Sequence, residues 1–212
     1  MYRAEPIEKY LADAAAKLPA PGGGSVSALA GALGASMAAM AANFTVGRKK
    51  FRDVEPEVRE LLDQFLAGGD ELLALMDRDV EAYSAVDAAY GMPRSTDAEK
   101  AARTAAIQDA LRVALATPLA VLRQCHELVR LLDRLVAVAN PNLISDVGVS
   151  AILLEAALRG ARLNVEINLA YLQDSAFVDT TNEEVKTAAF QAAEMAASVL
   201  DRVYKKMGWT PA

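Results

Sequence analysis

The stretch SVSALAGALGASMAAMAANF, residues 25–44, decides the fold. It carries no charge and consists mostly of Ala, Gly, Ser and Met. Alanine favours helix at little cost in side-chain entropy. The pairs Gly31/Ala35 and Gly34/Ala38 place small residues four apart, which lets another backbone approach closely on that side. We therefore predict a helix, Val26–Thr45, that lies at the centre of the molecule and is buried on all sides by protein.

The uncharged run around this helix, Leu18 to Gly47, is also long enough to span a bilayer. Alanine contributes little insertion free energy, so the buried helix is the favoured interpretation. The net charge of −6 argues against nonspecific binding to nucleic acid or to an anionic membrane. A single cysteine, Cys125, excludes an intrachain disulfide, and the first residues lack a signal-peptide core. We expect a cytoplasmic protein.

Helical periodicity continues on both sides of the central stretch, and no alternating strand or internal repeat interrupts it. We predict an all-α, up-and-down bundle that forms a single domain over residues 1–212. The six predicted helices are Glu5–Lys17, Val26–Thr45, Glu55–Tyr90, Asp97–Ala139, Leu143 or Ser145 to Leu172, and Thr181–Met207. Ser95 or Thr96 should cap the fourth helix, with Glu99 as the capping-box partner of Thr96. Pro118 should kink or divide this helix, and Gly208 should end the sixth.

Two motifs flank the central helix. Before it, Pro21–Ser25 (PGGGS) allows close approach of a ligand to free N–H groups at a helix start. The alternative is a tight turn with Ser25 as the N-cap. After it, Arg48, Lys49 and Lys50 form a cationic turn. These cations can neutralise a carboxylate or phosphate, or they can simply suit the negative end of the helix dipole.

Asp79 and Tyr83 lie one turn apart on the third predicted helix and share a face. A carboxylate on an apolar face is a candidate general base, although most such carboxylates are exposed or ion-paired.

Polar residues also mark the fifth predicted helix. Its start contains Asn140, Ser145 and Asp146, of which the last two are possible N-caps. Asn164 and Asn168 lie one turn apart near its end, where their amides need partners in a neighbouring backbone or a heteroaromatic ligand.

His126, the only histidine, follows the only cysteine. Successive side chains on a helix point about 100° apart, so a catalytic Cys–His pair is not expected. One Cys and one His also argue against a structural zinc site, and we expect no metal.

Taken together, these segments resemble the formiminotetrahydrofolate cyclodeaminase/methenyltetrahydrofolate cyclohydrolase family over nearly the whole chain. The matching segments are PGGGS (21–25), TVGRKKF (45–51), DVEAY (79–83), AAIQDAL (105–111), TPL (117–119), SDVGV (145–149) and GARLNVEIN (160–168). One departure is Gly-Arg-Lys-Lys-Phe where the family pattern has Gly-Lys-Lys-Lys-Tyr, so Phe51 receives no polar role. The resemblance implies an all-α homodimer that binds a tetrahydrofolate derivative as its substrate and needs no metal or redox cofactor.

Two reactions are compatible with this resemblance. The cyclohydrolase interconverts 5,10-methenyltetrahydrofolate and 10-formyltetrahydrofolate, whereas the cyclodeaminase closes 5-formiminotetrahydrofolate to the methenyl form and releases ammonia. The bundle-sized chain and the stretch Tyr90–Arg94 look more like the cyclohydrolase. A non-catalytic dimeric helical binding module is a further alternative, because composition alone suits it equally well.

The resemblance and the chemistry suggest three catalytic candidates. Lys49 is expected nearest the reacting carbon, where it stabilises charge or relays a proton. Asp79 would activate water or hold Lys49, and Asp146 would accept hydrogen bonds from the pterin. The candidate substrate-binding residues are Gly23, Gly24, Ser25, Arg48, Lys50, Asn140, Ser145, Asn164 and Asn168.

Overall fold

The computed structural model describes residues 1–209, apart from the side chains of residues 81–84. The structure is 84% helical and confirms the predicted all-α bundle. Its six main helices are α1 (Ile7–Ala15), α2 (Gly23–Asn43), α3 (Glu55–Tyr90), α4 (Asp97–Val138), α5 (Ile144–Leu169) and α6 (Ser175–Met207). Short 3-10 turns at Tyr2–Ala4, Lys49–Phe51 and Pro141–Leu143 complete the regular structure of the described residues.

Small residues let α2 pack closely against its neighbours. A Cβ atom built on Gly31 would lie 2.8 Å from Cys125 Sγ, and one built on Gly34 would lie 2.8 Å from Leu154 Cγ. Ala28 and Ala35 are fully buried. The predicted reason for the run of small residues, close approach of another helix, is therefore confirmed.

One side of α2 is nevertheless exposed, so the prediction that it is buried on all sides is wrong for the single chain. Val26, Leu33 and Phe44 are 44%, 51% and 47% exposed. The reason is geometric: α3, α4 and α5 cover only part of the helix surface. The exposed side continues onto α5, where Ile152 and Ile167 are 52% and 57% exposed. We call these exposed side chains of α2 and α5 the apolar face.

Two helices, α2 and α4, are long and apolar enough to cross a bilayer when only length and composition are considered. Within the fold, 61% of the apolar window of α2 and 33% of that of α4 are buried. Helix α2 lies at the centre of the bundle, as predicted from its composition.

Several helix ends differ from the prediction. Helix α2 begins at Gly23 with Gly22 as its N-cap, so Ser25 is not the cap. Leu143 is the N-cap of α5, so neither Ser145 nor Asp146 caps that helix. Neither N-cap residue makes a side-chain capping bond, because a helix can begin without a capping side chain from its own N-cap residue.

Helix α6 begins six residues earlier than predicted, because the Asp174 side chain accepts a hydrogen bond from the Phe177 backbone N–H and caps it. The capping box of Thr96 and Glu99 at the start of α4 is confirmed. Gly208 ends α6 with a φ of 70°, also as predicted.

Helix α4 continues through Pro118 for 42 residues. The alternative that Pro118 divides this helix is therefore wrong. The proline is buried in the bundle, where packing on both sides of it holds the two halves of the helix together.

Helices α2 and α5 run antiparallel, and polar contacts fix their register. The Ser150 hydroxyl donates to the Gly34 carbonyl oxygen at 2.7 Å near the middle. The Asn140 backbone N–H donates to Thr45 Oγ1 at 2.8 Å near the end of α2. The end of α5 therefore lies beside the start of α2, where one group of the predicted site residues meets.

Candidate active site

A cavity of about 280 Å³ lies where the start of α2 meets α3, α4 and the end of α5. The loop before α2 forms one wall with Pro19 and Ala20. The polar groups in the lining include Asp79 from α3 and Asn164 and Asn168 from α5. We call this space the glycine cavity, because Gly22–Gly24 form its floor.

The absence of a side chain at Gly24 makes room for the Asp79 carboxylate. A Cβ atom built on Gly24 would lie 2.7 Å from Asp79 Cγ and closer still to Oδ1. Asp79 Oδ2 accepts a 2.8 Å hydrogen bond from the Ser25 backbone N–H. Burial raises the pKa of the Asp79 carboxyl above its ordinary value, and this hydrogen bond offsets part of the rise. Such a carboxyl in a cavity is suited to acid–base chemistry.

Ser25 is fully buried and connects three helices. Its hydroxyl donates to the Met76 carbonyl oxygen of α3 at 3.0 Å. Because that bond uses the only hydroxyl hydrogen of Ser25, the Tyr10 hydroxyl of α1 is the donor in the 3.0 Å contact with Ser25 Oγ. Ser25 thus acts on the site through its backbone N–H, while its side chain fixes the start of α2.

The two asparagines of α5 face the same cavity, as the one-turn spacing predicts. Asn164 Nδ2 donates to the Gly160 carbonyl oxygen at 2.8 Å, and Asn168 Nδ2 donates to the Asn164 carbonyl oxygen at 2.7 Å. These bonds orient each amide so that its Oδ1 atom is the acceptor left for a ligand.

The start of α2 also presents backbone donors. Within the described part of the chain, no acceptor pairs with the N–H of Gly23 or Gly24. These two groups lie at the positive end of the α2 dipole. The glycine cavity therefore combines N–H donors, amide oxygens and a carboxyl group around one small volume.

The predicted cationic turn lies elsewhere. A second, more polar depression of about 290 Å³ is lined by Arg48, Lys50 and Asn140, among others. Arg48, Lys49 and Lys50 are exposed. Asn140 has a structural role: its Nδ2 donates to the Phe44 carbonyl oxygen at 3.2 Å, and its Oδ1 accepts from the Asn142 N–H. We call this region the cationic end.

The structure therefore divides the predicted site into two groups. Gly23, Gly24, Ser25, Asp79, Asn164 and Asn168 meet at the glycine cavity, whereas Arg48, Lys49, Lys50, Asn140, Ser145 and Asp146 lie towards the other ends of α2 and α5. Helix α2 has 21 residues. It is therefore roughly 30 Å long. Because two long helices separate the two groups, a single chain does not bring Lys49 or Asp146 to Asp79. The sequence itself leaves open whether the cleft lies within one subunit or between two.

Comparison with known proteins identifies the family. A sequence profile of the formiminotransferase-cyclodeaminase family matches residues 6–187. The chain belongs to the formiminotransferase-cyclodeaminase family. This result confirms the resemblance that the motifs indicate.

Individual relatives within the formiminotransferase-cyclodeaminase family have two names. A methenyltetrahydrofolate cyclohydrolase from Methylorubrum extorquens is 38% identical over 203 residues, which cover 96% of this chain and 98% of that protein. The formimidoyltransferase-cyclodeaminase of Rattus norvegicus is 35% identical over 194 residues, 92% of this chain but 36% of the rat protein. The crystal structure of a formiminotetrahydrofolate cyclodeaminase from Thermotoga maritima superposes with a TM-score of 0.80 at 28% identity and covers 98% of both chains.

Sequence reasoning missed some residues of the site in this family member. Tyr10 was assigned no role, although its buried hydroxyl holds Ser25. Ala114 and Pro118 line the glycine cavity, whereas the sequence marked Pro118 only as a kink. The sequence feature that indicates a role for Pro118 in the site is its position in the middle of a long helix. Tyr83, predicted to share a face with Asp79, has a side chain outside the described residues.

Cys125 and His126 point in different directions, as predicted. The Cys125 side chain is fully buried beside α2, and burial raises the pKa of its thiol to about 12. His126 lies in a surface groove, where its Nε2 atom contacts Gln191 Oε1 at 3.1 Å. Neither residue belongs to the glycine cavity.

Proposed function

We propose that this chain is a methenyltetrahydrofolate cyclohydrolase, which interconverts 5,10-methenyltetrahydrofolate and 10-formyltetrahydrofolate. The observation that carries the proposal is the 38% identity to a cyclohydrolase across 96% of this chain and 98% of that enzyme. The glycine cavity supports it with a carboxyl of raised pKa beside unpaired N–H groups and two amides.

In the hydrolytic direction, water attacks the cationic carbon that bridges N5 and N10. We assign Asp79 as the base that accepts a proton from this water as the new C–O bond forms. That proton then passes to N5 as the C–N5 bond breaks, and the remaining hydroxyl proton is released to solvent as the C=O bond forms, which leaves the formyl group on N10 and releases one proton overall. The N–H groups of Gly23 and Gly24 are candidate donors to a ligand oxygen, and Asn164 and Asn168 are candidate pterin contacts.

A homodimer would bring together the two groups of predicted site residues, at the glycine cavity and at the cationic end, that a single chain keeps apart. The apolar face on α2 and α5 extends from Phe44 at the cationic end to Val26 and Ile167 at the glycine cavity, and Ile167 also lines that cavity. A two-fold axis through the middle of this face, near Leu33, reverses the ends of α2. It would thereby bring the partner subunit's Lys49 towards Asp79.

Mixing two inactive variants tests this shared site. Lys49→Ala and Asp79→Asn are each expected to lose turnover. Random exchange of subunits makes half of the dimers mixed, and each mixed dimer has one intact site, so about a quarter of wild-type activity should return. If Lys49 and Asp79 served the same site from one chain, no mixed dimer would contain an intact site. No recovery after demonstrated exchange would therefore contradict the shared site.

The decisive assay for the reaction follows the absorbance of methenyltetrahydrofolate during hydrolysis by the purified protein. Cyclodeaminase activity is the second candidate, because the Thermotoga maritima cyclodeaminase structure superposes over 98% of both chains. Ammonia release from 5-formiminotetrahydrofolate, measured in parallel, separates the two. Turnover of neither substrate would favour the non-catalytic binding module.

We further propose that the reaction takes place in the cytoplasm and needs no metal or redox cofactor. The substrate carbon is already cationic, so neither electron transfer nor an external Lewis acid is required for attack by water. Full activity after dialysis against a chelator is the expected result.

A further inference from the structure

Helix α4 contributes a backbone acceptor to the wall of the glycine cavity. In an α-helix the carbonyl group of residue i accepts the N–H of residue i+4. Four residues separate Ala114 from Pro118, and proline has no N–H. The Ala114 carbonyl oxygen therefore lacks the helical bond that every other residue type at position 118 would supply. Both residues line the cavity.

No other group of the described chain replaces that bond from outside the helix. Neither a side chain nor a loop backbone donates to the Ala114 carbonyl oxygen among the described residues. Ala114 is partly exposed, Pro118 is buried, and both border the cavity. A ligand or a water molecule in the cavity is the available donor.

Retaining this proline has a large energetic cost. A proline inside a helix destabilises it by about 3 kcal/mol relative to alanine. Helix α4 spans 42 residues and is otherwise built mainly from good helix formers. A role in the site accounts for a proline at the one place where this helix borders the cavity.

We propose that Pro118 is a positioning residue that frees the Ala114 carbonyl oxygen to accept a hydrogen bond from an N–H group of the bound pterin. The inference rests on the proposed folate function and adds a contact to it. A tetrahydropterin carries N–H donors at its 2-amino group, N3 and N8. Asp79 lies in the same cavity on another helix, so the site presents acceptors from two sides to a ligand that is rich in donors.

The test uses two substitutions that restore the backbone N–H. Pro118→Ala restores it with a smaller side chain, and Pro118→Val restores it with an apolar side chain of similar bulk. Pro56→Ala is the matched control, because Pro56 lies at the exposed start of α3 and away from the cavity. The measurements are the melting temperature without ligand and the Kd for tetrahydrofolate, which binds but cannot react.

Both Pro118 variants should melt no lower than the wild type, because α4 regains a hydrogen bond. Both should bind tetrahydrofolate about three- to tenfold more weakly, the loss expected for one hydrogen bond. Pro56→Ala should keep the wild-type Kd. Variants that bind within twofold of the wild type would overturn the inference. Weakening by Ala but not by Val would also overturn it, because it would point to the bulk of the side chain and not to the missing N–H. A wild-type protein that binds no tetrahydrofolate would instead overturn the proposed function, and the inference with it.

Discussion

Substituting Gly24 by alanine should damage the site even though alanine is the better helix former. The new Cβ atom would lie 2.7 Å from Asp79 Cγ, and real Cβ contacts are essentially never shorter than 3.0 Å. The Asp79 carboxylate must therefore move away from the Ser25 N–H. Alanine contributes about 1 kcal/mol of helix stability. Overpacking and the loss of a charge-assisted hydrogen bond cost about 1–3 kcal/mol each. We expect a net destabilisation of about 1–5 kcal/mol.

The effect on catalysis should be larger than the effect on folding. General acid–base catalysis contributes about 10²–10⁴ in rate, so a displaced Asp79 should lower kcat at least about a hundredfold. Gly69→Ala in α3 is the matched control, because its new Cβ atom would lie 3.4 Å from Ala35 Cβ of α2, an ordinary van der Waals contact. That variant should be equally or more stable than the wild type and fully active. Urea unfolding and the methenyltetrahydrofolate assay give the two quantities.

A double-mutant cycle tests whether contact with Asp79 is the cause of the destabilisation by Gly24→Ala. In an Asp79→Ala background the obstacle to the new methyl group is absent, so Gly24→Ala should stabilise the protein by up to about 1 kcal/mol. The sign of its effect would thus reverse. Equal destabilisation with and without the Asp79 carboxylate, or wild-type turnover of Gly24→Ala, would refute the placement of Asp79 against Gly24.

Three further substitutions test the assigned roles. Because burial raises the pKa of Asp79, the folded protein binds more protons than the unfolded chain between the two pKa values, and stability falls as pH rises through this range. Asp79→Asn should remove that pH dependence from urea unfolding and most of the turnover; an unchanged profile would contradict the buried carboxyl. Lys49→Ala should lower turnover far more than stability, because Lys49 is exposed; wild-type kinetics would exclude it from the mechanism. Asp146→Asn should weaken tetrahydrofolate binding measured by titration, and an unchanged Kd would discard its pterin role.

The sequence predicts the helices well because their signals are local. Apolar periodicity gives α3 its bounds, Glu55–Tyr90, and the Thr96–Glu99 pair gives the start of α4. The predicted start of α6 at Thr181 is six residues late, because one capping side chain, Asp174, is enough to begin the helix earlier.

The candidate site was predicted only in part, because its geometry depends on packing. Adjacency along the chain and one-turn spacing correctly placed Gly24 near the start of a helix and Asn164 beside Asn168. The distance between Asp79 and Lys49 depends on the length of α2 and on its antiparallel packing with α5. The sequence motifs do not predict that packing. The acceptor at Ala114 is a backbone atom, so a search restricted to chemically reactive side chains does not detect it.

The glycines of α2 also determine which mutations the protein tolerates. The packing around Gly31 and Gly34 leaves almost no room for an added methyl group. A saturation library across α2 should therefore show that enlargement is poorly tolerated at Gly31 and Gly34, because a new Cβ atom there displaces Cys125 or Leu154 and overpacking costs about 1–3 kcal/mol or more. Tolerated substitutions should consequently occur mainly in the other helices, while the backbone of α2 keeps its path.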